Sequence, residues 1–125
     1  MKVLVVDDEI DMKNLFEQKF RKEIKEHAIE FAFANSGEEA LIYLTRHEHE
    51  AVLIFSDINM PGMTGLELLD IIKHKTELPP PVVMMITAYG DDENYNLAMK
   101  LGADGFLTKP IDFLLLKEKL NNIGK

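Results

Sequence analysis

The chain has 125 residues, a formal net charge of −8 and no cysteine. This length is typical of one domain, and it allows a hydrophobic core without covalent cross-links. The absence of cysteine excludes a disulfide framework, a thiolate zinc site and a cysteine nucleophile. Because nucleic-acid binding depends on Lys and Arg side chains that neutralise phosphates, the acidic balance argues against a direct nucleic-acid partner. We therefore expect residues 1–125 to form one acidic domain.

The apolar run after Met1-Lys2 is only four residues long and leads directly into Asp7-Asp8-Glu9. Such a run is too short for a signal peptide or a transmembrane helix. We expect a cytoplasmic protein with no membrane partner.

Apolar patterns in the first half of the chain predict alternating strands and helices. Lys2 to Val6 is β-branched and nearly all apolar, which is typical of a strand covered on both faces. Apolar residues at helical spacing predict a helix from about Ile10 to Lys25. Alternation from residue 29 to 33 predicts a half-buried strand. Ser36 and Glu39 form a capping-box pattern that begins a second helix.

The central apolar run, residues 51–57, predicts a buried strand that ends in a single carboxylate, Asp57, before a Pro-Gly turn. A third helix follows over about residues 66–72. The fourth predicted strand, Val82 to Ile86, ends at Thr87. Acidic residues at 91–93 suit the first turn of a fourth helix, and Gly102 is a plausible C-cap. A short strand at 105–108 then leads into Lys109-Pro110 and a last helix that begins near Asp112.

Five strands that alternate with five helices predict an α/β fold with a parallel sheet between helical layers. The leading arrangement is the flavodoxin-like doubly wound sheet with strand order 2-1-3-4-5. Ligands of such sheets bind at the carboxyl ends of the strands, in the crevice between strands one and three. Those strands end in Asp7-Asp8 and Asp57.

Three carboxylates are therefore expected to converge on one crevice. Two unit charges about 4 Å apart repel by roughly 4 kcal/mol at a surface-like dielectric, so such a cluster favours a bound cation. Magnesium, which takes one or two carboxylates and keeps several waters, fits this set. The alternative is that Asp7 and Asp8 only cap the first helix.

Strands four and five bring a hydroxyl, Thr87, and an ammonium, Lys109, to the same edge. These groups suit phosphoryl transfer, in which catalysis is mostly positioning and neutralisation of phosphoryl oxygens. Asp57 would be the nucleophile and would form an aspartyl phosphate.

Four segments resemble those that mark response-regulator receiver domains, the CheY-like family. They occur in the family's order and spacing over essentially the whole chain: Val5–Glu9, Ser56–Gly65, Ile86–Ala88 and Leu107–Pro110. The resemblance implies a CheY-like fold and a protein of two-component or phosphorelay signalling, with no separate substrate of its own.

By this resemblance, Asp57 accepts a phosphoryl group from a sensor histidine kinase or a histidine phosphotransfer protein. Asp8 and Asp57 would bind Mg²⁺ directly, Asp7 largely through water, and Asn59 through its backbone carbonyl. Lys109 would pair with the phosphate or with the resting carboxylate.

The resemblance also implies a switch. Thr87 would move to hydrogen-bond the phosphoryl group, and Phe106 would turn inward. The change would reach the surface of helix four, strand five and helix five, which a downstream protein or an attached output domain would contact. The family further implies a cis bond before Pro110, and it places Asn59 and Tyr89 where they tune hydrolytic water.

Three alternatives remain open at this point: a haloacid-dehalogenase-type phosphatase, a flavodoxin-like cofactor binder and a phosphate-independent interaction module. The first lacks an Asp-x-Asp pair after strand one, and the second lacks a Gly- and hydroxyl-rich loop there. The apolar run Phe113–Leu116 docks the last helix or supports a homodimer. His47-Glu48-His49 is interpreted as a solvated turn, and His27 and His74 as isolated side chains. The chain is either a stand-alone receiver or one domain of a longer protein.

Overall fold

The computed structural model describes residues 1–47, 53–75, 81–88 and 91–123. Within these ranges, five strands alternate with helical segments. The strands are β1 Lys2–Val6, β2 Glu30–Ala34, β3 Leu53–Asp57, β4 Val82–Ala88 and β5 Gly105–Lys109. The helices are α1 Ile10–Lys19, α2 Arg21–Lys25, α3 Gly37–Arg46, α4 Gly65–His74, α5 Asp92–Leu101 and α6 Phe113–Ile123.

All neighbouring strands are parallel, and the sheet order is β2-β1-β3-β4-β5. This is the predicted doubly wound topology. The strand order reverses direction at β1, so the crevice between the carboxyl ends of β1 and β3 is the switch point of the sheet. No helix in the described ranges is both long and apolar enough to cross a bilayer.

The helix predicted over residues 10–25 is divided into two, which gives six helices in the described ranges instead of five. The break is at Phe20, whose backbone leaves the helical region (φ −108°, ψ 20°). Phe20 is fully buried, and its ring stacks on that of Phe16 with 6.0 Å between centroids. The continuous pattern concealed the break because both helices are polar on their outer faces, and α2 has no buried residue.

Alternation along the strands divides the core into two layers. One set of alternating strand residues, which includes Val5, Phe55 and Ile86, packs with Phe16 and Phe20 on one face. The intervening set, which includes Val6, Ile54 and Met85, packs against α3, α4 and α5 on the other face. Both faces are thus covered, which explains the nearly continuous apolar strands of the sequence.

Side-chain caps fix the starts of most helices. Ser36 Oγ accepts a hydrogen bond from the Glu39 amide at 3.1 Å, which confirms the predicted cap of α3. Gly102 ends α5 in the left-handed region (φ 97°), as predicted. In α6, Leu116 is buried but Leu114 is 78% exposed, so the predicted docking run Phe113–Leu116 packs on the core through only some of its side chains.

Candidate functional site

The candidate site lies at the carboxyl ends of β1 and β3. Val6 pairs with Ser56 across these strands, so the next residues, Asp7 and Asp57, leave the sheet side by side. Asp7, Asp8 and Asp57 each offer a carboxylate oxygen, and these atoms all lie within 4.8 Å of one another. The structure therefore brings together the three carboxylates that the sequence indicates.

The three carboxylates differ in depth. Asp7 and Asp57 are buried, with exposed fractions of only 4% and 6%, whereas Asp8 is exposed. The pair forms the floor of the pocket, and Asp8 lies at its opening. A charged group that approaches from solvent reaches Asp57 past an acidic rim.

Lys109, the last residue of β5, supplies the positive charge of the pocket. Its Nζ lies 3.2 Å from Asp57 Oδ2 and 3.5 Å from Asp7 Oδ2. The Lys109–Pro110 peptide bond is cis, as the family resemblance implies. The ammonium of Lys109 thus joins the two buried carboxylates from the opposite edge of the sheet.

Burial dominates the titration of the floor. It raises the pKa of Asp57 above its usual value, although Lys109 and the amides of Asn59 and Ile58 favour the carboxylate. It also raises the pKa of Asp7, and the negative charge of Asp57 adds to this effect. Burial alone would lower the pKa of Lys109, but the charges of Asp57 and Asp7 outweigh it and raise that pKa. Without a further cation, both buried acids therefore resist ionisation.

The donor set fits a hard divalent cation. Among the described residues, Asp7 Oδ2 is a buried oxygen that accepts no hydrogen bond, although Lys109 lies near it. An orphaned carboxylate oxygen beside two further carboxylates suits Mg²⁺, which prefers oxygen ligands. Asn59 is exposed, and its backbone amide is near enough to Asp57 to hydrogen-bond that carboxylate, which favours the lower pKa.

Thr87 and Phe106 lie on the face of the sheet that packs against α3, α4 and α5. Met85 pairs with Phe106 across β4 and β5, so Thr87, two residues beyond Met85, is the diagonal neighbour of Phe106 on that face. Thr87 is buried, and Phe106 is half-buried. A hydroxyl at the end of β4 and an aromatic ring on β5 therefore share one surface beside the pocket.

The loop after Asp57 is held by a close backbone approach. The Gly65 amide donates to Ile58 O at 2.8 Å, which sets the first residue of α4 against the exit of β3. A Cβ at Gly65 would collide with the carbonyl oxygen of Asp57 and would lie 2.8 Å from Ile58 Cα. Only glycine permits α4 to begin this close to Asp57.

Comparison with known proteins extends these observations. A family model described as the response regulator receiver domain matches residues 3–121. The chain is 36% identical to the chemotaxis protein CheY-3 of Vibrio cholerae over 123 residues, which cover 98% of this chain and 91% of that protein. It is 33% identical to a chemotaxis protein CheY homolog of Campylobacter jejuni, with 98% and 92% covered.

The chain belongs to the response-regulator receiver family. Its fold agrees with that of a receiver domain protein of Clostridium thermocellum, with a TM-score of 0.83 at 31% identity, over 98% of this chain and 92% of that one. Membership implies signalling based on phosphorylation, and the pocket of this receiver chain lies where a CheY-like sheet has its switch point.

Two contacts of this receiver domain were missed in the sequence. In the sequence Glu9 is only part of an acidic run, but in the structure its Oε1 lies 3.3 Å from Lys109 Nζ. No sequence motif marks Tyr95 of α5, but its ring centroid lies 4.3 Å from that of Phe106, and 44% of Tyr95 is exposed. Both contacts join side chains of different elements, so neither helical nor strand periodicity predicts them.

The histidines stay outside the pocket in the described part of the receiver. His47 stacks on Tyr43 with 4.3 Å between ring centroids, and His74 Nε2 lies 3.0 Å from Leu101 O. His27 lies in the turn before β2 with a positive φ of 60°. Glu48, His49 and Tyr89, about which the sequence made predictions, lie outside the described residues.

Proposed function

We propose that this chain is a switch operated by phosphorylation of Asp57. The observation that carries the proposal is the Lys109 ammonium 3.2 Å from Asp57 Oδ2, inside a pocket with two further carboxylates. A buried carboxylate that faces both a cation and a potential metal site can act as a nucleophile toward phosphorus, because both cations offset the charge of the incoming group.

In the proposed reaction, an oxygen of Asp57 attacks the phosphorus of a phosphohistidine on a sensor histidine kinase or a phosphotransfer protein. The new O–P bond forms as the P–N bond breaks, and the imidazole leaves with the electron pair of that bond. Mg²⁺ would neutralise phosphoryl oxygens. Asp8 and Asp57 would hold it directly, Asp7 through water, and Asn59 through its backbone carbonyl.

Lys109 and Thr87 would hold the transferred group. Lys109 already contacts the Asp57 carboxylate. Thr87 lies at the end of the adjacent strand β4, one position beyond the Ile86 that pairs with Asp57. An acyl phosphate adds negative charge and acceptor oxygens to Asp57, and these would attract both side chains.

The response would pass through Phe106 to the surface of α5, β5 and α6. Because Thr87 and Phe106 are diagonal neighbours, a shift of Thr87 toward the pocket leaves space on the face that Phe106 occupies. The Tyr95 ring, which packs on Phe106 and is partly exposed, would carry the change to the surface. A downstream protein or an attached output domain would read this surface in the cytoplasm.

The test is incubation with Mg²⁺ and acetyl phosphate, followed by intact mass. We expect the mass of one phosphoryl group on the wild type and none on Asp57→Asn. A wild type that gains no phosphate, or an Asp57→Asn variant that is labelled equally, would contradict the proposal. Sustained hydrolysis of a generic phosphate ester would instead support the phosphatase alternative.

A further inference from the structure

Glu9 precedes α1 as its N-cap residue, but its carboxylate does not cap the helix. The N-cap side chains of α3, α4 and α5 each accept a hydrogen bond from the amide three residues on: Ser36, Thr64 and Asp91. The carboxylate of Glu9 instead reaches Lys109, one hundred residues away in sequence, at 3.3 Å. Because the Glu9 carboxylate contacts Lys109 and does not cap α1, we expect its role to lie at the pocket.

Lys109 does not need Glu9 to reach the pocket. Its Nζ already contacts Asp57 and Asp7, both of which lie deeper. The Glu9 side chain is 62% exposed, compared with 28% for that of Lys109. Glu9 therefore attracts the ammonium from the solvent side, in the direction opposite to the two buried carboxylates.

The backbone of Glu9 keeps its carboxylate at the entrance. The Glu9 amide donates to Asp7 Oδ1 at 2.9 Å, so the residue is fixed to the floor of the pocket. A phosphoryl donor, which is itself anionic, must pass this carboxylate and take up the same ammonium. Glu9 and the incoming group thus compete for one cation.

We propose that Glu9 is a positioning residue that restrains phosphorylation of Asp57 by sharing the ammonium of Lys109. This inference rests on the proposed function of Asp57. With acetyl phosphate, an Asp57 oxygen forms a bond to phosphorus, the bond between phosphorus and the acetyl oxygen breaks, and acetate leaves with the electron pair. Lys109 must turn from Glu9 toward the phosphoryl oxygens during this step.

The experiment compares phosphorylation rates with Mg²⁺ and acetyl phosphate by intact mass over time. Glu9→Gln removes the ion pair, and Asp11→Asn removes the same charge from a nearby exposed position in α1. We expect Glu9→Gln to raise the rate about two- to five-fold, the range that an exposed ion pair supports. We expect Asp11→Asn to stay at the wild-type rate.

A double-mutant cycle tests whether the effect passes through Lys109. In a Lys109→Met background, which lacks the shared ammonium, we expect Glu9→Gln to change the slow residual rate no further. An equal gain in both backgrounds, or an equal gain for Asp11→Asn, would mean that only overall charge matters and would overturn the proposal. The Asp11→Asn comparison decides alone where the Lys109→Met rate is too low to measure.

The two hypotheses fail differently. A wild type that gains no phosphate overturns the proposed function and this inference together. A wild type that is phosphorylated no more slowly than Glu9→Gln overturns this inference only. Thermal unfolding of each variant tests whether a loss of fold causes the change in rate. We expect wild-type stability for Glu9→Gln, because Glu9 is exposed and its side chain does not cap α1.

Discussion

At the scale of single residues, the buried acids of the pocket reduce the stability of the fold when they are ionised. Asp7 and Asp57 are buried acids that share one ammonium, and burial raises the pKa of each. The folded protein therefore binds their protons more tightly than the unfolded chain does. It follows that ionisation of these groups lowers the free energy of unfolding as the pH rises.

The first prediction concerns Asp57→Asn in the absence of divalent cations. Because the pKa of Asp57 is raised, its stabilising effect is complete at low pH, where it is protonated, and is lost as the pH rises through the folded-state value. We expect Asp57→Asn to be about 1 kcal/mol more stable than the wild type at pH 7, and the two to converge only as the pH falls below the ordinary pKa of 3.8. Urea unfolding with EDTA across this range measures the difference.

The matched control is Asp11→Asn, an exposed acid in the first turn of α1. Its stability should stay within about 0.5 kcal/mol of the wild type at every pH, as is usual for surface substitutions. A wild type that is more stable than Asp57→Asn at pH 7 would show that Lys109 outweighs the cost of burying the charge.

Individual residues also show which contacts of the site can be predicted from the sequence and which cannot. The sequence alone predicts that five side chains share one site, because they follow predicted strands and the carboxyl ends of parallel strands meet at one edge of the sheet. These are Asp7, Asp8, Asp57, Thr87 and Lys109. The contact of Glu9 with Lys109 depends on the directions of two side chains, one at the start of α1 and one at the end of β5. The stacking of Tyr95 on Phe106 depends on how α5 packs on β5.

At the scale of elements, local signals predicted the strands better than the ends and breaks of helices. Apolar runs and periodicity predicted five strands in a parallel sheet, and the leading arrangement for five such units, order 2-1-3-4-5, is confirmed. The break of α1 at Phe20 was missed because it depends on where the ring fits among Phe16 and Phe31 in the core. Such a fit is a tertiary property, which helical spacing does not contain.

The second prediction concerns the start of α4. Gly65→Ala would place a methyl group against the backbone of Asp57 and Ile58, which cannot move without displacing β3. We expect a loss of about 2–3 kcal/mol in the free energy of unfolding, at the upper end of overpacking costs. We also expect slower labelling by acetyl phosphate per folded molecule, because the carboxylate of Asp57 shifts with its backbone.

Gly37→Ala is the internal comparison. The added methyl group there would meet the side chain of Met63, with the nearest atom, Sδ, at 2.8 Å. Met63 Cγ and Cβ follow at 2.9 and 3.0 Å, and rotation of this flexible side chain moves Sδ and Cγ aside. We therefore expect a smaller loss than for Gly65→Ala, about 1 kcal/mol, and a labelling rate close to that of the wild type. Equal losses for both variants would contradict the distinction between backbone and side-chain contact.

At the scale of the whole molecule, the acidic charge of the pocket links cation binding to the stability of the fold. The chain carries a net charge of −8, and three of its acids meet at one site. A divalent cation at this site would bind the folded state alone, because the unfolded chain does not bring residues 7, 8 and 57 together. Stability should then depend on the concentration of that cation.

The third prediction is that Mg²⁺ raises the melting temperature in proportion to the logarithm of its concentration above Kd. At ten times Kd the expected gain is about 1.4 kcal/mol, or a few degrees for a domain of this size. Asp8→Asn should remove most of the gain, because it removes one of the three carboxylates of the site. Because Asp8 is exposed, this substitution leaves the core unchanged. A thermal melt with NaCl at matched ionic strength controls for screening.

An equal Mg²⁺ response from Asp8→Asn would mean that the ion acts on the general surface charge. Asp70→Asn, which changes an acid on α4 away from the triad, should retain the full wild-type response. The two variants carry the same net charge, so they separate a specific site from a diffuse ionic atmosphere.

The ion pair between Glu9 and Lys109 joins residues one hundred positions apart, and the pocket takes further side chains from β3 and β4. The pocket groups extend from Asp7 to Lys109, about four-fifths of the chain, so a molecule that is synthesised or folded over a shorter stretch has no complete pocket. Only molecules that have finished folding would be able to accept a signal. The same assay that reports phosphorylation would therefore count the folded fraction of a preparation.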